Sequence, residues 1–264
     1  MRDDHEERGT MPEDDESDIR VPGSAPRTGT GGPKAAPDAS SPLPARARQL
    51  DRSGTGGDED GEIAELYREG RRQADRGELR KAASLYGEVV MRRPGHLQAR
   101  NNLGWVYDAL GEAERALHEY QQALEVEPDN VQVRTNIGAC LATLGRFEEA
   151  EETLRRASRL DPESADPRLN LGLVYVRRGL YREAVEILQQ AIDRDPEIGT
   201  AHLYRGVALN RLGEVDEARS ALERAVRFSP SNPKVYLNLG MVLDRKGHTE
   251  SASAMYRRAR ELTG

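Results

Sequence analysis

One constraint outweighs every other in this chain: from Ile63 onward it repeats itself every 34 residues. The stretch Asn101 to Pro128, NNLGWVYDALGEAERALHEYQQALEVEP, sets the pattern. Leu103, Gly104, Tyr107, Gly111, Ala116, Tyr120, Ala123 and Pro128 return one period later as Ile137, Gly138, Leu141, Gly145, Ala150, Leu154, Ala157 and Pro162. Counting in this register gives six units, 63–96, 97–130, 131–164, 165–198, 199–232 and 233–264. One glycine column runs Gly70, Gly104, Gly138, Gly172, Gly206, Gly240 and a second runs Gly77, Gly111, Gly145, Gly179, Gly213, Gly247. A fixed period of this length is the mark of a stacked array in which each unit buries its apolar face against its neighbours.

The spacing inside a unit predicts two short helices. Leu103, Gly104 and Tyr107 share one helical face, as do Ala116, Tyr120 and Ala123. Gly111 falls where a left-handed residue closes the first helix, and Pro128 stops the second. Gly104, Ala116 and Ala123 permit close approach of the two helices, while Leu103, Tyr107 and Tyr120 fill the space around them. The motif L-G-x-x-Y, then A-x-x-x-F/Y-x-x-A, then P resembles the tetratricopeptide repeat (TPR). That resemblance implies an all-α, right-handed α-solenoid of six helix-turn-helix units.

Helix starts are expected at Asn130 and Ser164, both good N-caps, and at Asn232, which precedes a proline suited to the first helical position. The turn at Glu197 to Thr200 is less regular, and Arg205 replaces the Leu or Ile of its column, so the first helix of the fifth unit is expected to be loosely packed. The ends differ from the middle. Glu69, Arg72 and Gln73 give the first unit a polar outer face, and Thr249, Ser253 and Arg260 soften the last one.

Residues 1–62 are of another kind, with 7 Pro, 9 Gly, no aromatic residue, and 8 basic against 15 acidic side chains. Such a segment buries too little apolar surface to offset ordering, and is expected to be a disordered acidic Gly/Pro/Ser-rich tail, with at most a short helix at Ala45–Asp51. The whole net charge of −7 lies there, because the array carries 31 basic and 31 acidic residues. A formally neutral array argues against nucleic acid as the partner. The 35 Arg against 4 Lys suggest a GC-rich, bacterial coding sequence. The N-terminus has no apolar targeting segment, and no run of about 18 apolar residues occurs, so no membrane span is expected and the cytoplasm is the expected compartment.

Catalysis finds no support in the sequence, and no cofactor is expected. The five histidines fall at unrelated register positions, no phosphate loop or nucleophile elbow is present, and Cys140 reads as a small buried apolar residue. Carboxylate pairs such as Glu148 with Glu149 lie on Arg-rich helices, where a solvated ion-pair face accounts for them.

Function is expected on the concave face that first helices present in such arrays. Its sixth register position gives Asn102, Asn136, Asn170 and Asn238, broken by Arg68 and Tyr204. An Asn amide matches the N–H and C=O of an extended peptide, and the row resembles the asparagine ladder in the substrate-reading repeats of O-linked N-acetylglucosamine transferases. Trp105 is a candidate aromatic anchor, and Arg177, Arg211 and Arg245 form a basic row suited to acidic segments. The fifth positions, Tyr67, Asn101, Thr135, Leu169, Leu203 and Leu237, lack the lysine with which TPR co-chaperones clamp a C-terminal carboxylate. The expected function is a non-catalytic scaffold or adaptor for protein segments. The alternatives are a targeting subunit of an enzyme system such as a glycosyltransferase, or an assembly factor that oligomerises through its C-terminal face. The acidic tail is a candidate intramolecular competitor, since about 45 flexible residues span roughly 35–40 Å.

Overall fold

A computed structural model describes residues 56–263, and the expected disorder and short helix of the preceding tail lie outside the described residues. The described residues form twelve α-helices and no strand. They are α1 (Gly56–Asp75), α2 (Leu79–Arg92), α3 (Leu97–Ala109), α4 (Ala113–Val126), α5 (Val131–Thr143), α6 (Phe147–Leu160), α7 (Asp166–Arg177), α8 (Tyr181–Arg194), α9 (Gly199–Leu212), α10 (Val215–Phe228), α11 (Pro233–Arg245) and α12 (Thr249–Thr263). Each helix packs on the one before and the one after it, and from α3 onward the odd helices also meet across units, so that the pairs stack into an α-solenoid.

The register explains the packing. In every unit the first-column glycine lies under the large side chain two turns into the second helix. A Cβ on Gly138 would stand 2.4 Å from Leu154 Cγ, and one on Gly104 2.6 Å from the Tyr120 ring. The glycine is therefore a docking hollow, and the second-helix alanines Ala116, Ala150, Ala184 and Ala218 are fully buried beside it. The second-column glycine serves the backbone instead: Gly145 has φ +75°, a left-handed turn that reverses the chain between α5 and α6.

A second periodic device links consecutive units through the closing prolines. Arg100 donates to the carbonyl of Pro94 at 2.6 Å, Arg134 to that of Pro128, His202 to that of Pro196 at 2.9 Å and Tyr236 to that of Pro230 at 2.9 Å. All four donors occupy the fourth register position, and each satisfies a carbonyl left bare where the proline ends a helix. In the fourth unit Arg168 turns to Ser164 O, and Arg194 takes the Pro162 carbonyl.

Several expectations require correction. Helix α1 begins at Gly56, seven residues ahead of the boundary at Ile63. Acidic side chains near its start pair with the end of α2, Asp60 with Arg93 and Glu62 with Arg92 at 3.0 Å. Ser164 is not an N-cap: α7 starts at Asp166, and the loop is held by Asp161, whose carboxylate accepts from the N–H groups of Glu163 and Ser164. Asn130 and Asn232 do cap α5 and α11, and His96 caps α3 by accepting from Ala99 N at 3.2 Å. Nor is α9 loose. It is regular over fourteen residues and mostly buried, and the misfit is confined to the Arg205 side chain, whose Nε has no hydrogen-bond partner among the described residues.

Candidate functional site

Register positions five, six, nine and thirteen bring the expected site residues onto the first helices of successive units. At the N-terminal end Asn102 donates to the Tyr67 hydroxyl at 3.1 Å and to the Tyr86 hydroxyl at 3.5 Å. Tyr67 lies 5.7 Å from Tyr86 and 5.1 Å from His96, centroid to centroid. Burial raises the hydroxyl pKa of both tyrosines, which keeps them protonated. Trp105 is half-buried against the cluster of Ala82, Tyr86, Leu103 and Val106, so one part of the indole is anchored and the rest accessible.

The asparagines do not form a uniform open row. Asn136 is 1% exposed, donates to Asn101 Oδ1 at 2.9 Å and accepts from Gln132 at 3.2 Å. Asn170 is 2% exposed and donates to the carbonyl of Asp166 at 2.9 Å, while its Oδ1 has no hydrogen-bond partner among the described residues. Asn238, at the accessible end, makes the same bond one turn back, to Lys234 O at 2.8 Å. The reason is local: an Asn on a helix reaches its own i−4 carbonyl as readily as a ligand. Asn136 and Asn170 are buried here, in place of the exposed amides expected.

The basic row also has structural work. Arg177 donates to the carbonyl of Ala142 at 2.7 Å, and Arg245 to the carbonyl and side-chain oxygen of Asn210, both at 2.6 Å. Both acceptor residues sit in the last turn of the preceding unit's first helix, where the dipole is negative, and each carbonyl also accepts from the turn glycine's N–H, Gly145 at 3.2 Å and Gly213 at 3.1 Å. Arg177 is half-buried, and burial lowers its pKa; Arg211 and Arg245 are exposed.

The apolar component of this face was missed in reading the sequence. Positions five, nine and thirteen read Leu169, Leu173, Arg177 in α7, then Leu203, Val207, Arg211 in α9, then Leu237, Met241, Arg245 in α11. Spaced by four, each trio lies on one helical face. Leu169, Leu173 and Leu203 are buried, Val207 and Met241 half-buried, and Leu237 is 46% exposed. The signal is present at the 34-residue period, in a column whose leucines stand where a carboxylate clamp would have its lysine.

Elsewhere, Glu151 joins the third and fourth units by accepting from Arg178 at 2.7 Å and from the Tyr175 hydroxyl at 3.1 Å. The Cys140 thiol is buried, donates to the carbonyl of Ala113, and is pushed up to about 12 by burial, so it stays protonated and unreactive near neutrality. No helix among the described residues is long and apolar enough to cross a membrane.

Six helix pairs on a 34-residue register, with a glycine hollow in each first helix and a left-handed glycine between the two, define a tetratricopeptide-repeat protein. Within that class the chain belongs to the family described as the cilia and flagella-associated protein 70 C-terminal domain, whose model matches residues 39–264. Solved structures with the same fold include a TPR protein from Parabacteroides merdae, 22% identical with a TM-score of 0.65 over 76% of this chain and 78% of that one. MamA is 25% identical, with a TM-score of 0.53 over 61% of this chain and 94% of that one. YrrB is 23% identical, with a TM-score of 0.50 over 68% and 93% respectively. No curated protein matches the chain in sequence. The fold is that of a protein-protein interaction scaffold.

Proposed function

We propose that the chain is a non-catalytic adaptor that holds extended, partly acidic protein segments along its first-helix face. The observation that carries this reading is Trp105, half-buried on the first-helix face against Tyr86, Leu103 and Val106, with the rest of its indole accessible to a partner side chain. Trp105 and Asn102 supply the contact at one end, and Asn238, Arg211 and Arg245 at the other. YrrB is described as having an unusual peptide-binding site, which makes segment binding a natural use of the same fold.

The test is selection of extended peptides on the full chain, followed by Trp105→Ala. A loss of about 2 kcal/mol in binding, with helical circular dichroism unchanged, is expected of an anchor. Equal binding by the variant places the contact elsewhere, and failure to select any peptide overturns the adaptor reading.

A further inference from the structure

The face of units four to six differs from that of units one to three in a way that specifies an occupant. In α7, α9 and α11 positions five, nine and thirteen are apolar, apolar and Arg; in α1, α3 and α5 they are Tyr67, Arg71, Asp75, then Asn101, Trp105, Ala109, then Thr135, Ala139, Thr143. An apolar floor bordered by arginines therefore exists only in the C-terminal half. Its accessible part is Val207, Leu237 and Met241 with Arg211 and Arg245. Such a surface suits a segment with an acidic run beside a short aliphatic patch.

The chain itself carries one. Among residues 1–55, Ile19 is the only isoleucine and Val21 the only valine, and they directly follow Glu13–Asp18, in which five of six residues are acidic. Two residues apart, Ile19 and Val21 fall on one side of an extended chain, and the carboxylates precede them in a block. Between Val21 and the start of α1 at Gly56 lie 34 residues rich in Gly, Pro and Ser, a length of chain whose maximal reach is on the order of 110 Å. Tethering makes the contact intramolecular, so its occupancy does not depend on chain concentration.

We propose that residues 13–22 are an internal ligand of the α9–α11 face, seated with Ile19 and Val21 on Leu237 and Met241 and with the acidic run along Arg211 and Arg245, and displaced by partner segments. This rests on the adaptor reading above and names its regulation. The contact is partly electrostatic and solvent-exposed, so salt weakens it.

The test uses a fluorescein-labelled peptide of residues 10–24 and the full chain, read by anisotropy at 50 mM and 500 mM salt. A chain carrying Asp14→Asn, Asp15→Asn, Asp18→Asn, Ile19→Ser and Val21→Ser should bind the peptide at least tenfold more tightly than the unaltered chain at low salt. The gap should narrow at high salt, and adding Leu237→Ser and Arg245→Gln should remove binding without loss of helical signal. Equal binding by the unaltered and tail-substituted chains, or no binding to either, overturns the proposal. The same tail-substituted chain is used to select extended 12-residue peptides: selected peptides alongside an inert 10–24 peptide mean that only the internal ligand fails, whereas no selected peptide means that the adaptor reading fails too.

Discussion

The Arg177 guanidinium donates to the carbonyl of Ala142, 35 residues back, at 2.7 Å, and Arg245 stands in the same relation to Asn210. These bonds tie the C-terminal end of one first helix to that of the unit before it. They hold the relative rotation of neighbouring units, which in a solenoid sets the curvature of the whole face.

Removing Arg177 takes a charged donor from the Ala142 carbonyl at a half-buried site, leaving it only the turn N–H of Gly145 at 3.2 Å. Arg177→Ala is expected to lower stability by about 1.5 kcal/mol, the low end for a bond to a charged donor. Arg245→Ala should cost under about 1 kcal/mol because its guanidinium is exposed and screened. Urea unfolding of the two variants checks the order. A larger effect for Arg245 would show that exposure does not govern these links.

The two glycine columns should respond to alanine for different reasons. At Gly138 the new Cβ would be 2.4 Å from Leu154 Cγ, so either Leu154 leaves its position or α5 and α6 separate. Overpacking of this kind costs about 1–3 kcal/mol. At Gly145 the added Cβ meets nothing, but φ is +75°, and the left-handed conformation costs roughly 1–2 kcal/mol in a residue with a Cβ. Gly145→Asn, which tolerates that conformation, should recover part of the loss, whereas no substitution at Gly138 should. Thermal unfolding of Gly138→Ala, Gly145→Ala and Gly145→Asn separates the two mechanisms.

The architecture was legible because each unit writes its own packing rules: the hollow at Gly104, the turn at Gly111 and the stop at Pro128 recur in place. What escaped were contacts that depend on a neighbouring unit. The early start of α1 is supported by Arg92 and Arg93 of α2, so the acidic residues there read alone as tail. The proline-carbonyl link escaped because its donors are Arg, His and Tyr, which share geometry and not residue type. The asparagine column predicted position but not environment: Asn102 bonds two tyrosines, whereas Asn170 and Asn238 bond back to their own helices. Arg205 was rightly odd, yet the helix absorbed it by leaving one nitrogen unpaired.

The seven residues ahead of Ile63 lead to a prediction about where the folded unit starts. Acidic side chains in the first turns of α1 oppose the positive end of the helix dipole and reach Arg92 and Arg93. A chain beginning at Gly56 should therefore melt with the full chain, while one beginning at Ile63 should melt slightly lower and show more fraying of α1. Hydrogen exchange at Glu65–Arg68 is the sensitive readout. Identical protection in both shortened chains would mean that the extra turns contribute nothing.

Two histidines should make the array weaken on mild acidification. His96 has its pKa lowered by burial first and by Arg93 second, and its Nδ1 must stay unprotonated to accept from Ala99 N. His202, 2% exposed, is lowered by burial and by Arg224 and Arg205, against the opposing pull of the Pro196 carbonyl. Both folded values lie below the ordinary 6.5, so between the two values the unfolded chain binds more protons than the folded one. Stability is then fully present above pH 6.5 and is lost as pH falls through the lowered folded values. The loss should begin before that from surface carboxylates such as Glu149, whose pKa lies below 4.5 through its bonds to Arg146. His96→Asn retains an N-cap acceptor without a titrating group, and His202→Gln retains a donor for Pro196 O. Urea midpoints measured from pH 7.5 down to 5 should fall for the unaltered chain and fall less for the double variant. A midpoint that rises on acidification over this range would reverse the sign and refute the assignment of both residues as neutral in the folded state.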